Sequence, residues 1–152
     1  SAMMSNPGFF TDKNVTRALR KIANKREVVR RDLMFVIKSG EIGGVGETTA
    51  NYNLISSTDD VSGYAAALTA MEKAAASNGF EDISVALWGS VTSGDRAGTV
   101  MASVQAPTSE RLGAFFDERQ SSWMTDAMSK FNSIRTPVVD FMMQCTTLSV
   151  NN

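Results

Sequence analysis

The chain has 152 residues, 43% of them apolar, and a net charge of −1, which suits one globular core. It contains no histidine and a single cysteine, Cys145. The missing histidine removes His-based acid–base catalysis, Ser–His and Cys–His nucleophile pairs, and His-ligated zinc or haem. One cysteine cannot form an intramolecular disulfide, which fits a reducing compartment. No apolar run approaches the roughly 18 residues of a membrane span, and no secretory leader is visible, so a cytoplasmic protein is expected. The carboxylates show no metal-ligand spacing, and no cofactor is expected.

Charge is unevenly spread. Residues 1–46 carry nine Lys/Arg against four Asp/Glu, a balance of +5, and residues 47–152 carry six against twelve, a balance of −6. The asymmetry predicts a basic extension over 1–46 and a separate domain over 47–152. Within the extension, Val15, Leu19, Ile22, Val29, Leu33 and Val36 recur at helical spacing among Lys and Arg, so 12–38 reads as an amphipathic helix capped by Thr11 or Asp12. Leu33–Ile37 can equally be a short strand, because periodicity does not settle a five-residue apolar run. Ser39–Gly46 holds four glycines and reads as a linker. A chain starting near Gly46 is therefore expected to keep its fold.

The rest alternates strand and helix. Thr49–Ser56 is a strand with Tyr52 and Leu54 on one face. Thr58-Asp59-Asp60 caps a helix whose Tyr64, Leu68, Met71 and Ala75 share a face and which ends at Asn78-Gly79. Ile83–Trp88 is the second strand, Ser93-Gly94-Asp95 a hairpin turn, and Thr99–Gln105 the third strand. After Pro107, Thr108 or Ser109 caps one long helix with a stripe of Leu112, Phe115, Phe116, Trp123, Ala127, Phe131 and Ile134. Pro137 blocks its continuation, and Val138–Leu148 is the last strand. Two right-handed β-α-β units joined by a hairpin predict an antiparallel sheet of order 4-1-3-2 with both helices on one face. This is an α+β, ferredoxin-like plan.

The alternation assigns Val85, Val104, Phe141, Met143 and Cys145, among others, to the helix-packed face. The opposite face then receives Asn51, Asn53, Trp88, Met101, Ser103, Asp140, Met142 and Gln144. Such a nearly uncharged face, with a tryptophan and methionines among small polar groups, suits a covered surface or a ligand cavity. The element order, size and semi-apolar face resemble those of the dimeric α+β barrel superfamily over residues 47–150. The resemblance implies a homodimer of two face-to-face sheets enclosing a pocket, with small cofactor-free monooxygenases and isomerases among its members. In such a pocket Asp140 is the one ionisable group and the candidate acid or base, raised in pKa by burial. The other seven residues form the ligand wall. More ordinary roles are an Asp140 that pairs with Arg135 or faces solvent, and a Trp88 that fills an interface.

Ile42-Gly43-Gly44-Val45-Gly46-Glu47-Thr48-Thr49 resembles the phosphate loop of ParA/MinD-class ATPases, but Glu47 stands where a cation is required, so the segment reads as a linker. The leading functional expectation is a small-molecule-binding homodimer, in one version a cofactor-independent enzyme on an apolar organic substrate. The alternative is a non-enzymatic assembly protein that recruits a protein partner through residues 12–38. Glu27 and Asp32, and the scarcity of aromatics, count against nucleic acid as the partner of that helix.

Overall fold

The computed structural model describes residues 12–147 apart from 24, 26–32, 42 and 92–95. The Ser93-Gly94-Asp95 turn, Thr11, Leu148 and the stretch containing Val29 lie outside the described residues.

The elements are α1 (Lys13–Ala23), β1 (Met34–Lys38), β2 (Thr48–Ser57), α2 (Val61–Ala76), β3 (Ser84–Ser90), β4 (Thr99–Ala106), α3 (Ser109–Asp117), a 3₁₀ turn (Glu118–Gln120), α4 (Ser122–Ser129) and β5 (Thr136–Thr146). The five strands form one sheet of order β1-β3-β4-β2-β5, and every neighbouring pair is antiparallel. The arrangement is consistent with a ferredoxin-like fold, with one strand more than expected. No helix among the described residues is long and apolar enough to cross a membrane.

Caps fall where the sequence puts them. Asp60 accepts from the Gly63 amide at the start of α2, and Thr108 accepts from the Arg111 amide at the start of α3. Gly79, past the end of α2, has φ +85, a conformation that favours glycine. Tyr64, Leu68 and Met71 of α2, Leu112 and Phe115 of α3, and Met124 of α4 pack on Val85, Leu87, Ala102 and Val104 of the sheet. The expected long helix is two helices. At the break the Ser121 side chain accepts from the Met124 amide and so starts α4. Serine competes for backbone partners inside a helix and favours caps.

The basic segment is also divided. Asp12 caps α1 through the Asn14 and Val15 amides, and none of the α1 residues is buried. Residues 34–38 are a strand paired with β3, so the sheet extends past the boundary expected at residue 46. Lys38 Nζ lies 2.8 Å from Glu72 on α2 and donates to the Val85 carbonyl, while Glu72 also accepts from the Val85 amide. The glycines that follow do not decouple the extension. They carry the chain from edge strand β1 back to β2 across the face away from the helices. A Cβ on Gly40 would come within 2.8 Å of the Gln105 side chain, and the Glu41 amide donates to Ser84 Oγ. Further on, the Gly44 amide donates to the Glu47 carboxylate, so the chain's own anion takes a donor that a phosphate would need.

Removing residues 1–46 strips β1 from the sheet, the crossing from Ser84, and the cation from Glu72. The truncated chain is expected to melt lower than the full chain by more than about 5 °C. An unchanged melting curve would show that β1 contributes nothing and that the domain does begin near residue 47.

Candidate functional site

The two faces of the sheet are set by its register. Ala50, Tyr52 and Leu54 of β2 lie on the helix side with Val85 and Leu87 of β3 and Ala102 and Val104 of β4. Asn51, Asn53, Trp88, Met101 and Ser103 share the far face, as the alternation predicts. The last strand is reversed relative to expectation. Asp140 pairs with Leu54, Met142 with Tyr52 and Gln144 with Ala50, so all three lie on the helix side. Val139, Phe141, Met143 and Cys145 lie on the far side. Two bonds agree with this register: Tyr52 donates to Asp140 Oδ2 at 2.8 Å, and Asn51 Nδ2 lies 3.6 Å from Cys145 Sγ. The reason is that β5 is an edge strand. The helices lie over β2, β3 and β4, so Asp140, Met142 and Gln144 are exposed while Phe141 and Cys145, on the far side, are half-buried. The expectation supposes a helix-covered face, whereas the helices cover chiefly β2, β3 and β4 and leave most of β5 exposed.

The far face is less open than expected. Asn53, Ile55 and Ser103 are at most 2% exposed within the single chain, and the glycine-rich crossing supplies part of the cover. Some of its polar groups bond to one another, as in Thr49 Oγ1 to Asn51 and Ser84 Oγ to Gln105. Asn53 Nδ2 and Trp88 Nε1 are buried with no hydrogen-bond partner among the described residues.

On the helix side, a cavity of about 150 Å³ opens between the sheet and α2, α3 and α4. Its walls are apolar: Leu54 and Ala102 from the sheet, Leu68 and Met71 from α2, and Phe115, Phe116, Met124, Met128 and Phe131 from the segment around the helix break. Three polar side chains also line it: Tyr52, Arg119 and Arg135. Arg119 and Met128 are well exposed and mark the rim. Tyr52 is held by edge contact with Phe116, ring centroids 5.0 Å apart, and by its bond to Asp140. Arg135 stacks over Phe131 at 4.4 Å from the ring centroid, and its Nη1 donates to the Tyr64 hydroxyl at 2.9 Å. Trp123 Nε1 donates to Glu118 across the helix break and braces the same wall.

Burial, then the hydrogen bond to Asp140 and that group's charge, push the Tyr52 phenol up to about 12; Arg135 pulls the other way. Tyr52 therefore keeps its proton at neutral pH and acts as a donor. Burial alone pushes the Cys145 thiol up, which disfavours the thiolate. Among the described residues no cluster of three or more His, Cys, Asp or Glu side chains could hold a metal.

Of the residues expected to form the site, only Asp140 reaches the cavity's polar edge, and it does so through Tyr52. Tyr52, Arg119 and Arg135 were missed as site residues. One signal was available: the apolar stripe of the second long helix skips from Phe116 to Trp123, and Arg119 fills the turn where an apolar residue would fall.

No family model matches the sequence, and no curated protein matches it. Solved structures of similar shape include two that can be named. An anthrone oxidase-like protein superposes with a TM-score of 0.46 at 14% identity, over 70% of this chain and 48% of that one. A candidate monooxygenase from Lactobacillus acidophilus NCFM gives 0.44 at 5% identity, over 88% of this chain and 60% of that one. The chain thus spans less than two thirds of either structure.

Titrating the two tyrosines by their phenolate absorbance checks the pair. One should ionise near 12 in the wild type. In Asp140→Asn its midpoint should fall but stay above 10, because burial is the larger cause. Between the ordinary value near 10 and about 12 the folded protein holds a proton that the unfolded chain releases, so stability should decline as pH rises through that window. Identical titrations in the two proteins would mean that Tyr52 does not bond Asp140 in solution.

Proposed function

We propose that this protein binds a small apolar organic molecule in the cavity between its sheet and its helices, and that it works as a homodimer. The observation that carries the reading is the cavity's composition: an aromatic and methionine lining with three polar side chains, Tyr52, Arg119 and Arg135, on its walls. Few polar groups around an apolar body are the usual make-up of a ligand site. A cavity of about 150 Å³ holds roughly one aromatic ring. Met71, Met124 and Met128 line it, and their unbranched side chains can repack to admit a larger body. The residues named on the far face, from Asn51 to Ser103, then support the sheet rather than touch the ligand.

In the enzymatic version of this reading, a proton leaving the ligand passes to the Tyr52 oxygen while Tyr52 hands its own to Asp140. Asp140 is then the net base, and no histidine is required. Such a relay suits substrates whose acidic proton is adjacent to an apolar ring system, as in monooxygenase- or isomerase-type chemistry without a cofactor. The assembly reading keeps one observation of its own. α1 places Lys13, Arg17 and Arg20 on one side and Val15, Leu19 and Ile22 on the other, and Ile22 is 46% exposed, so the helix retains a face for a protein partner.

Support for the dimer now comes from β5 rather than from an open far face. This edge strand is exposed along nearly its whole length and shows Val138, Val139, Met142 and Met143 to solvent, a surface that edge strands seldom leave bare. Light scattering at micromolar concentration should give about twice the monomer mass of 16.4 kDa; a monomer at every concentration would sink the dimeric reading. For the cavity, toluene at saturating concentration should raise the melting temperature of the wild type by a few degrees. Ala102→Leu should abolish that rise by filling the space. A rise that survives the filled cavity, or no rise in the wild type, would count against this site.

A further inference from the structure

Arg135 is an unusual group to find on the wall of an apolar cavity. It is half-buried, and its guanidinium is fixed from two sides, by the Phe131 ring beneath it and by the Tyr64 hydroxyl on Nη1. Tyr64 and Phe131 are themselves almost wholly buried, with rings in edge contact at 5.7 Å. The guanidinium is thus held in place by core residues rather than by a flexible surface contact. No carboxylate lies within ion-pair distance of it among the described residues, whereas Lys38 and Arg111 each have one. Its Nε and Nη2 make no hydrogen bond among the described residues; only Nη1 is used. A partly desolvated cation without an anion is costly unless something supplies the charge.

The two other polar groups on the wall fit the same demand. Arg119 at the rim has a long contact to Asp117, 3.8 Å on an exposed pair, and donates to the Phe116 carbonyl at 3.4 Å, and it adds a second positive charge on the entry side. Tyr52 points its proton at Asp140, so the adjacent carboxylate already has a donor. Tyr52's phenol is neutral at physiological pH and does not repel an anion.

We propose that the cavity selects a single-ring aromatic carboxylate, whose ring fills the apolar space and whose carboxylate is taken by the free Nε and Nη2 edge of Arg135. The planar fork of a guanidinium matches the two oxygens of a carboxylate, and the volume of about 150 Å³ matches one ring. This inference rests on the cavity being the ligand site, and it adds the charge and shape of the ligand.

The test uses the full chain, benzoate as the anionic probe and benzyl alcohol as its neutral counterpart, with affinities from calorimetry or NMR titration. Wild type should bind benzoate at least about 10-fold more tightly than benzyl alcohol, and added salt should narrow the gap. In Arg135→Met the preference should vanish while benzyl alcohol keeps its affinity within about two-fold, because methionine keeps an apolar stem beside Phe131 and leaves the other lining residues in place. Arg135→Lys, which keeps the charge and loses the fork, should fall between. Should Arg135→Met fail to fold, the two probes on wild type and on Arg135→Lys still decide the matter. Equal affinity of the two probes for wild type would overturn the anion preference and leave the cavity as an apolar ligand site. A preference that persists in Arg135→Met would overturn the role of Arg135. Binding of neither probe would overturn both this inference and the reading on which it rests.

Discussion

Much of this molecule depends on the ladder that runs along both edges of β2. One edge pairs Ala50 through Ser57 with β4, and the other pairs Thr48 through Ser57 with β5. Because side chains alternate along a strand, one register fixes which groups meet on each side of the sheet, and a slip of one residue would exchange every pair. The register puts Tyr52 between the α-helical layer and Asp140, and it puts Asn51 beside Cys145. A bulge between Ile55 and Ser56 absorbs Val138, so that Pro137 can lie in the ladder near the start of an edge strand, where its missing N–H is tolerated.

The cavity owes its shape to an interruption. Had the segment after Thr108 continued as a single helix, its stripe would have run straight over the sheet. The chain instead turns through Glu118–Gln120 and restarts at Ser122 under the Ser121 cap. Phe115 and Phe116 therefore face the sheet from one axis, and Met124 and Met128 from another. Phe80, Phe115 and Trp123 pack against one another at centroid distances of 5.6 to 6.1 Å, and Arg111 ties the start of α3 to Asp82. This aromatic cluster makes the wall next to the cavity stiff. The methionines that line the cavity are the side chains that can yield.

A protein without histidine has few ways to handle protons near neutral pH. Here a phenol and a carboxylate are joined at the sheet's helix side, with Arg135 close enough to oppose the rise of the Tyr52 pKa. Phenol, carboxylate and guanidinium thus lie near one another at the edge of an otherwise apolar space. The far face lacks such a set. Thr49 bonds Asn51 and Ser84 bonds Gln105 there, Asn53 Nδ2 and Trp88 Nε1 have no partner among the described residues, and burial raises the pKa of its thiol.

The sequence by itself determined the α+β class, the alternation of strands and helical segments from Thr48 onward though not the break at Ser121, the caps within Thr58–Asp60 and at Thr108 or Ser109, and the faces of β2, β3 and β4. All of these follow from interactions between near neighbours: a side chain reaching an amide two or three residues on, or an apolar period matched to a helix or a pleat. It left open whether Leu33–Ile37 is helix or strand, because that run gains its conformation from hydrogen bonds to β3. It misled at the last strand, where Val138 to Cys145 has apolar residues on both alternating sets, and only the helix layer's failure to cover β5 decides which set turns outward. It also could not show that the glycines after Ser39 lie across Ser84 and Gln105. The site belongs to this second group. Tyr52, Arg119, Arg135 and Asp140 are spread over 89 positions of the chain, and they come together only through strand register and the break between two helices. Those are long-range pairings that no local pattern encodes.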